Sequence, residues 1–329
     1  MSRLEGQKAK VLHLLRILEQ YTDEEHRMNV PQILEKLAQQ GIKAERKSVY
    51  DDIESLKKMG YDIHQSRGRC GGYFLGERAL QLSELKLLVD SVQASRFITR
   101  KKSDQLIATL TGLFASHWQA QDLKRQVYSS GQVKSMNESI YYTVDALHRA
   151  IAQNRQVGFK YQHWTLDKKK TSRGNGSEYR VSPWALLWED ENYYLVAYQP
   201  EKGLRHYRVD KMASIHLLEQ ERQGEEIINE ETLRSYARPL FHMFGGPAQK
   251  VTLRCQNAMI DPILDRFGTQ VLVMPQPDGW FTVQVEVTPS RAFYGWVFGF
   301  AGQVQIHSPA SVRNEFAQQL AQVQAGLTP

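Results

Sequence analysis

Three short segments decide how this chain is read: Tyr179-Arg180-Val181-Ser182-Pro183-Trp184-Ala185-Leu186-Leu187, Tyr193-Tyr194-Leu195-Val196-Ala197, and Arg205-His206-Tyr207-Arg208-Val209-Asp210-Lys211-Met212. Each is rich in aromatic and β-branched residues, and turn-forming or charged residues separate them, which is the signature of consecutive strands. On the same grounds strands are expected at Val157–Trp164, Tyr179–Val181, Ala185–Trp188, Tyr193–Tyr198, Gly203–Val209 and Ile215–Leu218. Six short strands joined by tight turns predict a small antiparallel barrel, whose interior fills with side chains and leaves only the surface or rim for a ligand. The two-residue strand period puts His206, Arg208 and Asp210 on one face. An imidazole and a guanidinium there converge on an anionic group; equally, Arg208 pairs with Asp210 or Glu178 as an ordinary ion pair. Of the neighbours Tyr193 and Tyr194, one is expected buried and one exposed, and an exposed Tyr194 offers a stacking platform. The Lys168-Lys169-Lys170 run reads as a solvated hairpin loop.

Upstream the period changes to that of helices. Val11, Leu14, Leu15 and Leu18 form the inner face of a first helix. Pro31 opens a second, with Ile33, Leu34 and Leu37 inward and Gly41 at its end. A third runs from about Glu45 to Met59 with Val49, Ile53 and Leu56 inward and Arg46, Lys47, Ser48, Tyr50 and Lys57 outward. Two strands, Tyr61–Gln65 and Tyr73–Gly76, flank the turn Ser66-Arg67-Gly68-Arg69-Cys70-Gly71-Gly72, in which glycines supply positive φ. Helix-turn-helix followed by a basic hairpin is a winged helix, in which the third helix presents Arg and Lys to a major groove and the hairpin arginines meet phosphate or the minor groove. A three-helix bundle with a solvated charged face shares the helical periodicity but not the hairpin. Asp52 reads as a residue bonding within the bundle.

Two further regions complete the domain plan of 1–78, 79–135, 136–244 and 245–329. Leu85, Leu88, Val89 and Val92, then Leu106, Leu110, Leu113 and Phe114, give helical stripes separated by a break at Arg100-Lys101-Lys102. From Gln249 the order is strand, helix, strand, strand, helix, strand and a final helix, a β-α-β-β-α-β unit of ferredoxin-like type. The fold class is therefore multidomain α+β.

The 329 residues carry 42 Lys and Arg against 36 Asp and Glu, a net charge of +6 with a pI near 9.1. Placement, not the total, must decide what the charge meets. Two cysteines, Cys70 and Cys255, are too few for a disulfide framework, no run is long and apolar enough to span a membrane, and residues 1–20 are charged throughout, so a cytoplasmic location is expected.

Ile42–Ile63, together with Gly71-Gly72-Tyr73-Phe74-Leu75 and Leu82–Leu88, resembles the DeoR-type winged helix of bacterial regulators. The three barrel segments are similar, in order and spacing, to those of the WYL-domain transcriptional regulators. Tyr193 stands at the namesake tryptophan, Lys211 at a usual arginine, which loses the bidentate fork, and His206 where a small hydroxyl residue is common. The resemblance implies an Sm-like (SH3-like) barrel that senses a nucleotide, short single-stranded nucleic acid or small anion through Tyr194, Arg208 and Lys211, with Ser182 and His206 beside them. It also implies binding of a double-stranded operator through Arg46, Lys47, Ser48, Tyr50, Arg67 and Arg69, and a homodimer supported by the C-terminal extension.

An enzyme is the alternative, a nucleotide-acting one with His206 as acid or base. The sequence has no HExxH, CxxC, GxSxG, Walker A or GxGxxG motif in a suitable context, so no catalytic residue, metal ligand or cofactor is assigned.

Overall fold

A computed structural model describes residues 3–68, 71–126, 134–173, 176–226, 228 and 247–327, and divides the chain into two units, Met1–Glu138 and Ser139–Pro329. Arg69 and Cys70, and with them part of the expected hairpin turn, lie outside the described residues.

The first unit begins with α1 (Arg3–Tyr21), α2 (Val30–Gln39) and α3 (Arg46–Lys58), followed by the antiparallel pair β1 (Ile63–Ser66) and β2 (Gly72–Leu75). Leu14, Ile17 and Leu18 of α1 meet Ile33 and Leu37 of α2, Val49, Ile53 and Leu56 of α3, and Ile63 and Leu75 of the strands in one core. Each such side chain contributes about 1.5–3 kcal/mol when fully buried, and this docking, rather than propensity, holds the polar α3 as a helix. Asn29 and Gln32 form a reciprocal capping box at the start of α2, where Pro31 needs no amide donor.

The hairpin is tied to the helices through backbone. Met28 and Tyr73 exchange both N–H···O bonds, at 3.0 and 2.8 Å, so the residue before α2 forms an isolated bridge to β2. This changes the reason for the glycines. Gly68 does have positive φ (+118°), but Gly72 does not; a Cβ there would lie 2.6 Å from the Met28 carbonyl, so it is the close approach of two backbones that requires glycine.

The end of α1 is a polar corner. The Thr22 hydroxyl accepts from the Leu75 amide at 3.1 Å, its carbonyl accepts from Arg78 at 2.7 Å, and the Asp23 carboxylate takes the His26 amide and ring, each at 2.8 Å, together with the Ser116 hydroxyl. Ser116 precedes α6 (His117–Gln126), so Asp23 joins the three-helix core to the helices that follow. Those are α4 (Leu82–Ala94) and α5 (Arg100–Phe114). Leu85 and Val89 pack with Ala115 and Leu123, whereas Leu88 is largely exposed, a narrower stripe than the sequence predicts. Arg100–Lys102 is not a break but the first turn of α5, capped by Thr99; the break lies in the preceding residues. The Lys134 ammonium closes the end of α4, donating to the carbonyls of Val92 and Ser95 and to Ser103 Oγ at 2.7 Å.

The second unit opens with α7 (Ile140–Ala152). Then come β3 (Arg155–Trp164), β4 (Lys170–Ser172), β5 (Tyr179–Glu189), β6 (Asn192–Gln199), β7 (Gly203–Arg208), a 3-10 turn at Val209–Lys211, and β8 (Met212–Glu221). The pairing runs β8–β3–β5–β6–β7, with β4 on the far end of β3, all antiparallel. The two expected strands 179–181 and 185–188 are one strand with a register shift between Pro183 and Ala185, and β3 shifts twice against β8. Bulges of this kind bend a strand and curl the sheet. Among the described residues no β7–β8 pairing closes it, so the result is a curled half-barrel. Phe159, Val181, Leu195, Tyr207 and Val209 are buried within it.

The chain ends with β9 (Gln249–Gln256), α8 (Ile260–Phe267), β10 (Val273–Gln276), β11 (Trp280–Val287), α9 (Arg291–Phe298), β12 (Val304–Ser308) and α10 (Ala310–Leu327). The antiparallel sheet has the order β10–β11–β9–β12, and Val251, Leu253, Val283 and Val285 pack against Ile263, Phe293, Tyr294 and Val312 of the helices.

Two measurements check this account of the first unit. Gly72→Ala drives a methyl into the Met28 backbone and is expected to cost about 1–3 kcal/mol, read as a lowered urea midpoint. Burial pulls the Asp23 carboxyl upward, but its bonds from Ser116 and His26 outweigh this and hold it below the usual aspartate value. Its contribution is therefore complete above the unfolded-state pKa of about 4 and lost as pH falls through the lower folded value. The stability gap between the parent and Asp23→Asn, measured by urea unfolding, should close as pH drops from 6 towards 3.

Candidate ligand site and nucleic-acid interface

On the curled sheet, register determines which of the expected residues meet. Tyr194 of β6 stands directly opposite Arg208 of β7, and His206 opposite Val196. Ser182 pairs instead with Tyr198, four residues along β6 from Tyr194, a separation of about 13 Å at the usual strand rise. Ser182 is also buried, and its hydroxyl accepts the Gln223 amide at 2.9 Å. The structure thus groups Tyr194, His206, Arg208 and Lys211 at one end of β6 and β7, and holds Ser182 at the other.

Arg208 is anchored on three sides. Its Nε and Nη2 donate to the two oxygens of Asp210, each at 3.0 Å, Nη2 also donates to Asn192 Oδ1 at 2.8 Å, and its amide donates to the Tyr161 hydroxyl at 3.1 Å. The ion pair with Asp210 that the sequence allows is present. Its geometry differs from the expected shared strand face: β7 stops at Arg208, and the 3-10 turn swings Asp210 back over the guanidinium. Those hydrogen bonds from Arg208 to Asp210 hold the guanidinium above its ordinary pKa, against the opposing effect of burial. Tyr193 and Tyr194 are both half-buried, not one in and one out, because they lie beside the two-residue turn Asp190-Glu191 at the rim of the sheet; Tyr193 packs edge-on against its cross-strand partner Trp188 at 4.6 Å. Burial raises the phenols of Tyr194 and Tyr161, with Arg208 opposing in both.

Sequence reasoning did not single out Tyr161, Asn192 or Arg173. Arg173 pairs across the β3–β4 ribbon, its amide donating to the Tyr161 carbonyl at 2.8 Å and its guanidinium lying 5.8 Å from the Tyr161 ring centre. Tyr161 was visible as an aromatic in an alternating strand, but its meeting with Arg173 and Arg208 follows from pairing alone. The Lys168–Lys170 segment forms a tight turn, with Lys170 over the exposed Trp164 ring.

In the first unit, Arg46 and Lys47 lie exposed in the first turn of α3. Arg46 Nε donates to the Tyr50 hydroxyl at 3.3 Å, and the Tyr50 ring, 37% exposed, meets Tyr73 of β2 edge-on at 6.3 Å. Ser48 is half-buried and its hydroxyl is engaged by Lys10, which also pairs with Asp52 at 2.8 Å. Ser48 therefore faces α1, and Asp52 bonds within the bundle as expected. Arg67 is exposed at the hairpin turn; Arg69 lies outside the described residues. An unexpected cation joins this surface: Arg27 donates to Ser66 Oγ at 2.7 Å and lies over the Phe74 ring at 5.4 Å.

Nothing resembling a catalytic centre emerges at the cysteine that is described. Cys255 is fully buried, and burial pushes its thiol up to about 12. Among the described residues no group of three or more His, Cys, Asp or Glu is arranged to hold a metal, and no helix is long and apolar enough to cross a membrane.

The chain thus combines a helical unit with a short hairpin, a curled antiparallel half-barrel and a terminal α+β sheet. Family models match two of these parts and the first helices. Residues 142–217, which include most of the half-barrel, match the WYL domain, and residues 247–324 match the WCX domain. Residues 13–68 match the D3 domain of FokI. Among solved structures, proteasome accessory factor B/C (PafBC) of Arthrobacter aurescens is similar over 98% of this chain and 49% of its own, at 19% identity and a TM-score of 0.29; the chain spans about half the length of that protein. A CRISPR Cas-related protein is similar over 76% of this chain and 74% of its own, at 13% identity and a TM-score of 0.37.

Proposed function

We propose that this protein is a ligand-responsive, DNA-binding transcriptional regulator of the WYL-domain type. In this reading residues 1–78 are a DeoR-type winged helix, 79–135 a helical linker, 136–244 an Sm-like sensing barrel left partly open, and 245–329 a ferredoxin-like extension. The winged helix binds a double-stranded operator, the WYL domain takes an anionic effector (a nucleotide, a short single strand or another small anion), and effector occupancy shifts operator affinity through the linker.

The observation that carries this reading is the separation of cations onto two surfaces. Arg46, Lys47 and Tyr50 on the first turns of α3, with Arg67 and Arg27 on the hairpin, suit a duplex: a helix start for base edges and flanking cations for phosphates. Tyr194, Arg208 and Lys211, with His206 beside them, form the second surface. The matches to WYL and WCX domains support the regulator reading. Cytoplasmic action and a homodimer complete it.

Paired variants test the division of labour. Arg46→Ala or Lys47→Ala should weaken binding to genomic duplex fragments and lower the salt slope by about 1 for a lost phosphate contact, while the response to anions is retained. Arg208→Ala should do the reverse, keeping duplex affinity and losing the change that nucleotides or single strands produce in the parent. Equal behaviour of the two variants in gel-shift titrations would remove the reading. Light scattering should give twice the chain mass of 37.9 kDa; a single-chain mass would refute the dimer.

A further inference from the structure

From Gln162 onward β3 leaves the half-barrel sheet. Its pairing with β5 ends at Phe159 and that with β8 at Tyr161; beyond them β4 alone accompanies it among the described residues, with Gln162 opposite Ser172, His163 opposite Thr171 and Trp164 opposite Lys170. Residues 162–172 are thus a two-stranded ribbon standing out from the sheet. Hydrogen bonds fix its apex. The Thr165 amide donates to the Lys169 carbonyl at 2.8 Å, the Lys168 amide to the Thr165 carbonyl at 3.0 Å, and the Thr165 hydroxyl accepts the Lys169 amide at 3.3 Å.

This ribbon displays more than the solvated loop expected from its lysines. Lys168, Lys169 and Lys170 are exposed, Leu166 at the apex is fully exposed, and the Trp164 ring is 57% exposed with the Lys170 ammonium 5.3 Å from its centre. Three ammonium groups against the single Asp167 carboxylate leave +2 on this short ribbon, a density far above the +6 spread over 329 residues. Cross-strand partners share a face, so Trp164 and Lys170 lie on one side of the ribbon, while Tyr161, by the two-residue period, looks to the other. The surface is therefore separate from the patch at Arg208.

A convex basic tip with an apolar apex suits a concave polyanion. The major groove of duplex DNA admits a two-stranded ribbon, and phosphates line both its rims, where lysines displace counterions. At base edges Leu166 can meet a thymine methyl and Asp167 can accept from a cytosine amino group. A single strand is held instead by a concave basic groove in which several aromatic rings stack successive bases, and this tip is convex with one such ring. A bilayer surface accepts Trp and Leu flanked by lysines, but the Asp167 carboxylate beside Leu166 would have to enter with it and lose its hydration.

We propose that the β3–β4 ribbon is a second duplex-DNA contact, entering a major groove with Leu166 and Asp167 at base edges and Lys168, Lys169 and Lys170 at the flanking phosphates. The proposal rests on the duplex-binding reading above and adds to it an element outside residues 1–78.

The test measures binding of the full chain to a short fluorescent duplex of mixed sequence, by anisotropy over a range of salt concentrations. The matching single strand and vesicles of phosphatidylserine and phosphatidylcholine are the other arms. Lys168 has a φ of +58°, which Asn tolerates, so the charge-removed ribbon is Lys168→Asn, Lys169→Gln and Lys170→Gln together. It should bind the duplex at least tenfold more weakly, with a salt slope lower by roughly 2 to 3. Leu166→Ser should weaken binding at least threefold and leave the slope unchanged. Lys202→Gln, Lys250→Gln and Arg291→Gln together remove three exposed cations elsewhere in the second unit and should stay within threefold. All the substituted side chains are exposed, and thermal unfolding checks that each variant keeps the parent's transition. Parent affinity and slope in the ribbon triple variant, with binding weakened in Arg46→Ala, would overturn the ribbon contact and leave the winged-helix reading intact. Equal loss in the control triple variant, parent affinity in Leu166→Ser, or a loss seen with the single strand or the vesicles but not with the duplex would also overturn it. A parent that binds no duplex would overturn both.

Discussion

The 3-10 turn at Val209–Lys211 sets the arrangement of the curled half-barrel. It stops β7 at Arg208, brings both oxygens of Asp210 onto the guanidinium at 3.0 Å, and starts β8 along the opposite side of β3. The Tyr161 hydroxyl fixes the same corner by accepting the Arg208 amide. A charge-assisted bidentate pair is both strong and directional, so the corner sets where every neighbouring charge can lie. Without the turn, Asp210 would continue the strand alternation and Lys211 would point to the opposite face. With it, Asp210 shares one corner with Arg208 and Tyr161.

A comparable economy governs the first unit. Backbone pairing of Met28 with Tyr73 makes the start of α2 part of the hairpin, and Gly72 permits it by having no Cβ. The hairpin is thereby held against α2, with Arg27 tied to Ser66 of the hairpin and Arg46 to Tyr50 on α3. The Asp23 corner links the end of α1 to α6 through Ser116. Polar contacts here do not replace the apolar core; they fix its orientation, since an unpaired carboxylate or carbonyl at these places would cost more than any alternative packing returns.

Much of this was legible in the residues. The periodicity of Leu14, Leu18, Ile33, Leu37, Val49, Ile53 and Leu56 located three helices and their buried faces, and the alternating aromatics located the strands of the half-barrel. Asp52 was legible as a bundle residue, one of three acids on a helix that otherwise presents Arg and Lys, and Lys10 is its partner. The candidate site was less legible. Ser182 and Tyr194 look like neighbours in the sequence pattern, yet register sets them at opposite ends of β6. Ser48 looks outward by its place in the helix start, yet a lysine from a helix 38 residues earlier engages it. Tyr193 and Tyr194 follow strand alternation only where both faces of a sheet differ, and at a curled rim they do not.

Most element types and their order can be read from the residues, because hydrophobic period, turn residues and caps act over a few residues. The residues also show that the cations fall in two groups more than a hundred residues apart. Register and turns settle which cations are engaged: Arg208 by Asp210 and Asn192, Lys10 by Asp52 and Ser48, and Arg27 by Ser66. That selection depends on strand register, on bulges that curl the sheet and on one 3-10 turn, each of which joins residues distant in the chain through geometry that local pattern does not encode.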